Sequence, residues 1–134
     1  MKIKTSNLTD VALDWAVATC KGLPIRHDPM NFGPAFAEGG FWIWDERGPI
    51  GKRDYRLIGR QYSPSNNWAQ GGPIIELNKI SPRLEKEGLY LAPYFNGVAH
   101  VGHQAGPTPL VAAMRCYVAS KLGDTVDVPE ELVK

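Results

Sequence analysis

Residues 106–123, Gly106-Pro-Thr-Pro-Leu-Val-Ala-Ala-Met-Arg-Cys-Tyr-Val-Ala-Ser-Lys-Leu-Gly123, read as a helix with both ends written into the sequence. Thr108 is an N-cap residue, because its hydroxyl can accept a hydrogen bond from a first-turn N–H. Pro109 suits the first helical position, where a missing N–H costs nothing and the fixed φ is already helical. Gly123 suits the left-handed position just past the C-terminus. Val111, Met114, Val118 and Leu122 form one apolar stripe, and Ala112, Ala113, Cys116 and Ala119 form a small-residue face. A helix that is apolar on nearly every side is a buried one, so the rest of the fold is expected to pack around it. Arg115 conflicts with that pattern, because it falls beside the Val111–Leu122 stripe. A buried charge needs a partner, and two readings stay open. Arg115 is either half of a structural ion pair with a carboxylate such as Glu76 or Asp14, or a planar fork that holds the phosphate or carboxylate of a ligand.

Working outward, Lys2 to Thr5 alternates and predicts a short first strand. A second buried helix follows, with Thr9 as cap, Leu8 stapled onto Leu13, and Asp10 in the first turn, where the helix dipole favours an anion. It runs to about Lys21 and stops at Gly22, with Pro24 beyond. Asp10, Asp14 and Lys21 make its polar stripe; Val11, Ala12, Trp15, Ala16 and Thr19 cover the opposite side. Pro24 to Gly40 has no period and reads as an irregular loop pinned by Ile25, Met30, Phe32 and Phe36. Phe41 to Trp44 is a strand by its aromatic and β-branched content, Asp45 to Gly51 a turn region, and Tyr55 to Tyr62 a strand with Tyr55 and Leu57 on one face. Ile74 to Ile80 fits either a strand or a short helix started by Pro73. Pro82 to Gly88 reads as a charged turn. Leu89 to Phe95 is a strand whose far end Pro93 turns into an edge or a bulge. Asn96-Gly97 is a hairpin signal, with Val98 to Val101 returning. Thr125 to Val128 is the last strand, stopped by Pro129 ahead of a frayed tail. The expectation is a single domain over 1–134 of α+β class: two largely buried helices on a mostly antiparallel sheet, joined by long Gly/Pro-rich loops.

Composition narrows the function classes. The 134 residues are 43% hydrophobic and 22% charged, enough for a real core. The net charge of +1 creates no global field toward nucleic acid or anionic membrane. No apolar run approaches the ~18 residues of a membrane span. The N-terminal Met1-Lys-Ile-Lys-Thr-Ser6 has no apolar signal core, which points to a cytoplasmic protein. Cys20 and Cys116 both fall in predicted helices and read as core thiols rather than a disulfide.

Three stretches together resemble the NinX family of small phage and prophage proteins. They are Met1-Lys-Ile-Lys-Thr5 running into Leu13-Asp-Trp-Ala16; Tyr62-Ser-Pro-Ser65 with Trp68-Ala-Gln-Gly-Gly-Pro-Ile-Ile-Glu76; and Gly106 to Cys116 with Ser120-Lys-Leu-Gly-Asp124. The region from about Ser81 to Ala105 departs most from the family pattern. The resemblance implies a phage accessory protein acting in the cytoplasm of a bacterial host. It implies no particular activity and no catalytic residue.

The candidate ligand-binding residues are Tyr62, Ser63, Asn66, Trp68, Gly71, Gly72, Glu76, Thr108 and Arg115. The 62–76 stretch offers aromatic faces at Tyr62 and Trp68, small polar groups, and close backbone approach at Gly71-Gly72. That mixture suits a flat heteroaromatic ligand; its plainer reading is a structural loop whose Trp plugs the core. Thr108 at the head of its helix is an anion site or a plain cap. Arg47, Lys52, Arg53, Arg56 and Arg60 form a basic run diluted by Asp45, Glu46 and Asp54, which is a solvated face or the rim of a pocket for one anion. His100 and His103 lack the neighbours of a metal site, and no cofactor is expected. The leading function is therefore non-enzymatic capture of a small anionic, nucleotide-like ligand, for example a host defence signal. The alternatives are a module that docks on a host protein through an aromatic patch among Phe32, Phe36, Phe41 and Trp42, and an enzyme acting on nucleotides or nucleic acid with Glu76, His100 and His103 as nominees.

Overall fold

The computed structural model describes residues 1–28, 40–45, 54–96 and 99–133. In chain order the elements are β1 (Lys2–Lys4), α1 (Asp10–Cys20), β2 (Ile25–Asp28), β3 (Gly40–Asp45), β4 (Asp54–Leu57), α2 (Trp68–Asn78), β5 (Arg83–Lys86), β6 (Leu89–Asn96), β7 (Ala99–Gly106), α3 (Pro109–Leu122) and β8 (Thr125–Asp127), with 3-10 turns at Thr5–Asn7 and Glu130–Leu132. The class is α+β, as expected. The described strands form three small antiparallel sheets rather than one, ordered β1-β8, β2-β3-β4 and β5-β6-β7.

The helix over Pro109–Leu122 is central. It packs on β6 and β7, on α1 and on α2. Ala112, Ala113, Met114, Cys116 and Val118 are sealed in the main core with Leu8, Leu13, Ala16, Val17 and Ala92. Full burial of side chains the size of Met114 and Val118 stabilises the fold by roughly 1.5–3 kcal/mol each. The Thr108 hydroxyl accepts from Val111 N–H at 3.1 Å, which is the cap that the sequence predicts. Gly106, at the end of β7, lies so close to α3 that a β-carbon there would sit 2.6 Å from the Ala112 nitrogen.

The first helix is shared between two layers. Leu13, Ala16 and Val17 face the main core, while Val11, Trp15 and Ala18 pack against Ile43, Ile58 and Tyr62 beneath the β2–β4 sheet. The expected polar stripe is corrected here: with both sides covered, Asp14 is only 1% exposed. Thr9 occupies the cap position, but its hydroxyl makes no capping bond. Asp10 enters the helix at φ +48°, a left-handed conformation that Asp tolerates better than most residues. The first-turn bond from Leu13 N–H to the Thr9 carbonyl is kept at 3.3 Å, so only the side-chain cap is missing.

Four other expectations change. The 74–80 ambiguity resolves as a helix that begins earlier, at Trp68, with Asn67 accepting from Ala69 N–H at 2.8 Å and Pro73 inside it rather than at its start. Residues 25–28 are strand, because each pairs with 43–40; Met30, Phe32 and Phe36 lie outside the described residues, as do 46–53. The charged 82–88 segment contains β5, a fully exposed edge strand whose lack of a buried face hides it from pattern reading. The tail is not frayed through 133, since Leu132 and Val133 pack on the core. Pro93 does sit next to an irregularity, a register shift between Tyr94 and Phe95. No described helix is long and apolar enough to cross a membrane.

Candidate functional site

The Tyr62–Glu76 stretch is cross-tied before it meets any ligand. Ser63 C=O accepts from the N–H groups of Asn66 and Asn67, both at 2.9 Å. Ser63 N–H donates to Gln70 Oε1, and Gln70 Nε2 donates back to the Gln61 carbonyl, each at 2.6 Å. Tyr62 is buried, with the Arg56 guanidinium 5.1 Å from its ring centroid, so it cannot present a stacking face to a ligand. That corrects its expected role: β4 and α1 enclose the ring. Gly71 is also absorbed by packing. A β-carbon there would lie 2.6 Å from Leu110 Cδ2 and against the Pro64 carbonyl, so its missing side chain lets α2 approach α3. The remaining members of the stretch, Asn66, Trp68, Gly72 and Glu76, reach or border the surface, with Trp68 57% exposed.

Thr108 and Arg115 do not join that stretch in one pocket. Thr108 spends its hydroxyl on the α3 cap. Arg115 is 8% exposed and forms an ion pair with neither Glu76 nor Asp14, contrary to the expected structural pair. Its Nε donates to the Leu8 carbonyl at 2.8 Å and its Nη1 to the Ala105 carbonyl at 2.7 Å. The guanidinium thus clips the 3-10 turn before α1 to the end of β7. Burial pulls its pKa down, and among the described residues no carboxylate forms an ion pair with it.

The structure assembles a different concavity. A cleft of about 480 Å3 lies between the β2–β4 sheet, the start of α1 and the Glu130–Leu132 turn. Its walls include Val11, His27, Phe41, Gly59, Arg60 and Glu131. His27 and Phe41, cross-strand partners, stack with ring centroids 4.2 Å apart and planes 7° apart. Gly59, at φ +95°, rests on Val11 so tightly that a β-carbon would fall 2.7 Å from Val11 Cγ2. An apolar, ring-lined wall with a guanidinium and a carboxylate on the same cleft can take a flat polar ring carrying a negative group. Sequence reading reached Arg60, as part of a possible anion rim, and Phe41, as part of an aromatic docking patch rather than a ligand wall. His27 sat in a stretch without period, and Glu131 in the supposed tail.

Behind this cleft lies a buried polar cluster. Asp14 Oδ1 accepts from Ser65 N–H at 2.9 Å. Asp14 Oδ2 and the Tyr62 hydroxyl are both buried without a hydrogen-bond partner. Desolvation raises Asp14 from 3.8 to about 6 against the opposing Ser65 hydrogen bonds, with the nearby Asp10 charge adding to the rise. Desolvation likewise pushes Tyr62 up, opposed by Arg56 and reinforced by Asp14. The same cause favours the protonated thiols: burial raises Cys20 to about 11 and Cys116 to about 12.

Of the expected aromatic docking patch, the Trp42 member is corrected. Trp42 is buried and Phe41 is half-buried under His27, while Phe32 and Phe36 lie outside the described residues. Glu76 and His103 are exposed on α2 and β7; the side chain of His100 lies outside the described residues.

Compared with known families, residues 4–121 match the model described as Bacteriophage P22, NinX. A comparison with curated proteins returns no match.

Proposed function

The chain belongs to the bacteriophage P22 NinX family and is a phage accessory protein, and from that premise we propose that it captures a small anionic, nucleotide-like ligand without turning it over. Its place of action is the host cytoplasm, where a sequestered host signal would be neutralised. The observation that carries this reading is the His27–Phe41 stack on the wall of a 480 Å3 cleft that Arg60 also lines. Stacked rings extend a π surface on which a heterocycle can lie, and a guanidinium supplies planar donors for a phosphate. The volume falls in the range of small-molecule sites, about 300–1,000 Å3.

The reading moves the site away from the 62–76 stretch, whose Tyr62 and Gly71 serve packing, and away from Arg115. A thermal-shift screen with cyclic mononucleotides, cyclic dinucleotides and ADP-ribose derivatives tests it. A ligand at 100 times its Kd adds about 2.7 kcal/mol to stability, a shift of several degrees in a domain of this size. A selective shift that Arg60→Ala and Phe41→Leu both diminish is expected. A flat panel, or a shift indifferent to both substitutions, overturns the assignment.

A further inference from the structure

The cleft beside the His27–Phe41 stack has a neighbour. A second cleft of about 490 Å3 lies on the other side of the Glu130–Leu132 turn, and Leu132 lines both. Consecutive residues part to the two sides. Glu131 lines the first cleft and Val133 the second, while on α1 Val11 belongs to the first and Ala12 to the second. Leu132 is therefore a ridge between two adjacent compartments of nearly equal size, each within the range of about 300–1,000 Å3 of small-molecule sites. Short local bonds shape the ridge: Leu132 N–H donates to the Pro129 carbonyl at 3.0 Å and Val133 N–H to the Glu130 carbonyl at 3.1 Å. Packing of Leu132 and Val133 on the main core seats it.

Each compartment also carries cationic groups. Arg60 lines the first. Lys2 and Lys4 line the second, and because they alternate with Ile3 on β1 they leave that strand on the same side. Both are exposed, and neither forms an ion pair among the described residues; Asp127, across the ladder from Lys2, is tied to the Met1 amine at 2.9 Å. Asn7 adds an amide, and Thr9 a hydroxyl that makes no capping bond. Leu8, Ala12 and Leu132 supply apolar wall. The second compartment thus repeats the first in kind: apolar surface for a ring and cations for a phosphate, with two ammonium groups where the first has a guanidinium. A mononucleotide occupies one compartment only. Resting on the capture reading, we infer that the captured ligand is a dinucleotide: it seats one nucleotide in each compartment with Leu132 between the bases, one phosphate at Arg60 and the other at Lys2 and Lys4. Joining the two halves makes the second contact an intramolecular event, which raises affinity without any added contact in the first cleft.

Isothermal titration of the intact chain with cyclic AMP, cyclic di-AMP and linear pApA, and with their guanine counterparts, tests the inference. One dinucleotide per chain is expected, bound about a hundredfold tighter than the mononucleotide of the same base. Lys2→Gln combined with Lys4→Gln is expected to weaken the dinucleotide about tenfold and to leave the mononucleotide unchanged. Arg83→Gln combined with Lys86→Gln removes the same charge from β5, an exposed strand that lines neither cleft, and is expected to leave both ligands unchanged. All four substituted side chains are exposed, and matching thermal melts confirm that the variants fold. A mononucleotide that binds as tightly as the dinucleotide, two dinucleotides per chain, or a dinucleotide indifferent to Lys2 and Lys4 overturns the inference and leaves the capture reading standing. Equal weakening by the two charge-removing pairs also overturns it, because that reports net charge rather than a second compartment. Silence from all six nucleotides overturns the capture reading, and the inference falls with it.

Discussion

Replacing Arg115 by Ala tests whether this guanidinium is a structural clip. Its Nε bond to Leu8 is buried and its Nη1 bond to Ala105 is partly buried. Hydrogen bonds from a charged donor contribute about 1.5–3 kcal/mol each, and an abandoned buried acceptor costs about 1–3 kcal/mol. Leu8 carries the larger part, because water can reach the Ala105 side more readily. Against this stands the cost of burying a cation that forms no ion pair among the described residues, which the variant recovers. The balance is a loss of about 2–4 kcal/mol, a large share of a typical 5–15 kcal/mol total. Urea denaturation reads it directly: with a slope of about 1–3 kcal/mol per molar, the midpoint falls by roughly 1–2 M. Arg115→Met separates the causes. It keeps much of the aliphatic stem but leaves both carbonyls unpaired, so it should lose nearly as much as Ala. Arg115→Lys should fall between, because one ammonium cannot reproduce a fork spanning two carbonyls. An Arg115→Ala protein within about 1 kcal/mol of wild type would refute the clip and return this residue to the ligand hypothesis.

The other expectations follow from the same geometry. Asp14 has a raised native pKa, so its contribution is fully present below about pH 4 and is lost as pH rises through about 6; Asp14→Asn should remove that slope and be the more stable protein above pH 6, by up to about 3 kcal/mol for a two-unit shift, as measured by denaturation at both ends. Gly71→Ala drives a β-carbon onto Leu110 and the Pro64 carbonyl and should cost about 1–3 kcal/mol, whereas Gly72→Ala, which meets nothing within 4 Å, should be near neutral or stabilising; thermal melts of the pair decide it. Thr108→Ala should cost about 1 kcal/mol and Thr9→Ala a few tenths at most, because only Thr108 makes its capping bond; equal losses would contradict the difference between the two helix starts.

Much of the architecture was legible because it rests on local rules. The Thr108, Pro109 and Gly123 signals bounded α3 correctly, aromatic and β-branched content located the 41–44 strand, and alternation located the 125–128 strand. The 68–78 helix was not legible because Gly71, Gly72 and Pro73 are poor helix formers. Its support comes from the Asn67 cap and from packing on α3, neither of which periodicity reports. The site was less legible still. His27 and Phe41 become a stack only through strand register, and Arg60 and Glu131 come from segments 71 residues apart that share one cleft.

The sequence by itself determined the family, the α+β class, the buried central helix and its caps, because residue preference, period and capping chemistry act over a few neighbouring positions. Only the tertiary structure decided what the polar residues inside that frame do. Asp14 is a surface position on the helical wheel and a buried one once a sheet covers that side of α1. Arg115 meets backbone carbonyls from Leu8 and Ala105 rather than a carboxylate. Burial and partnership are set by which distant segments arrive at a side chain, and no local pattern encodes that.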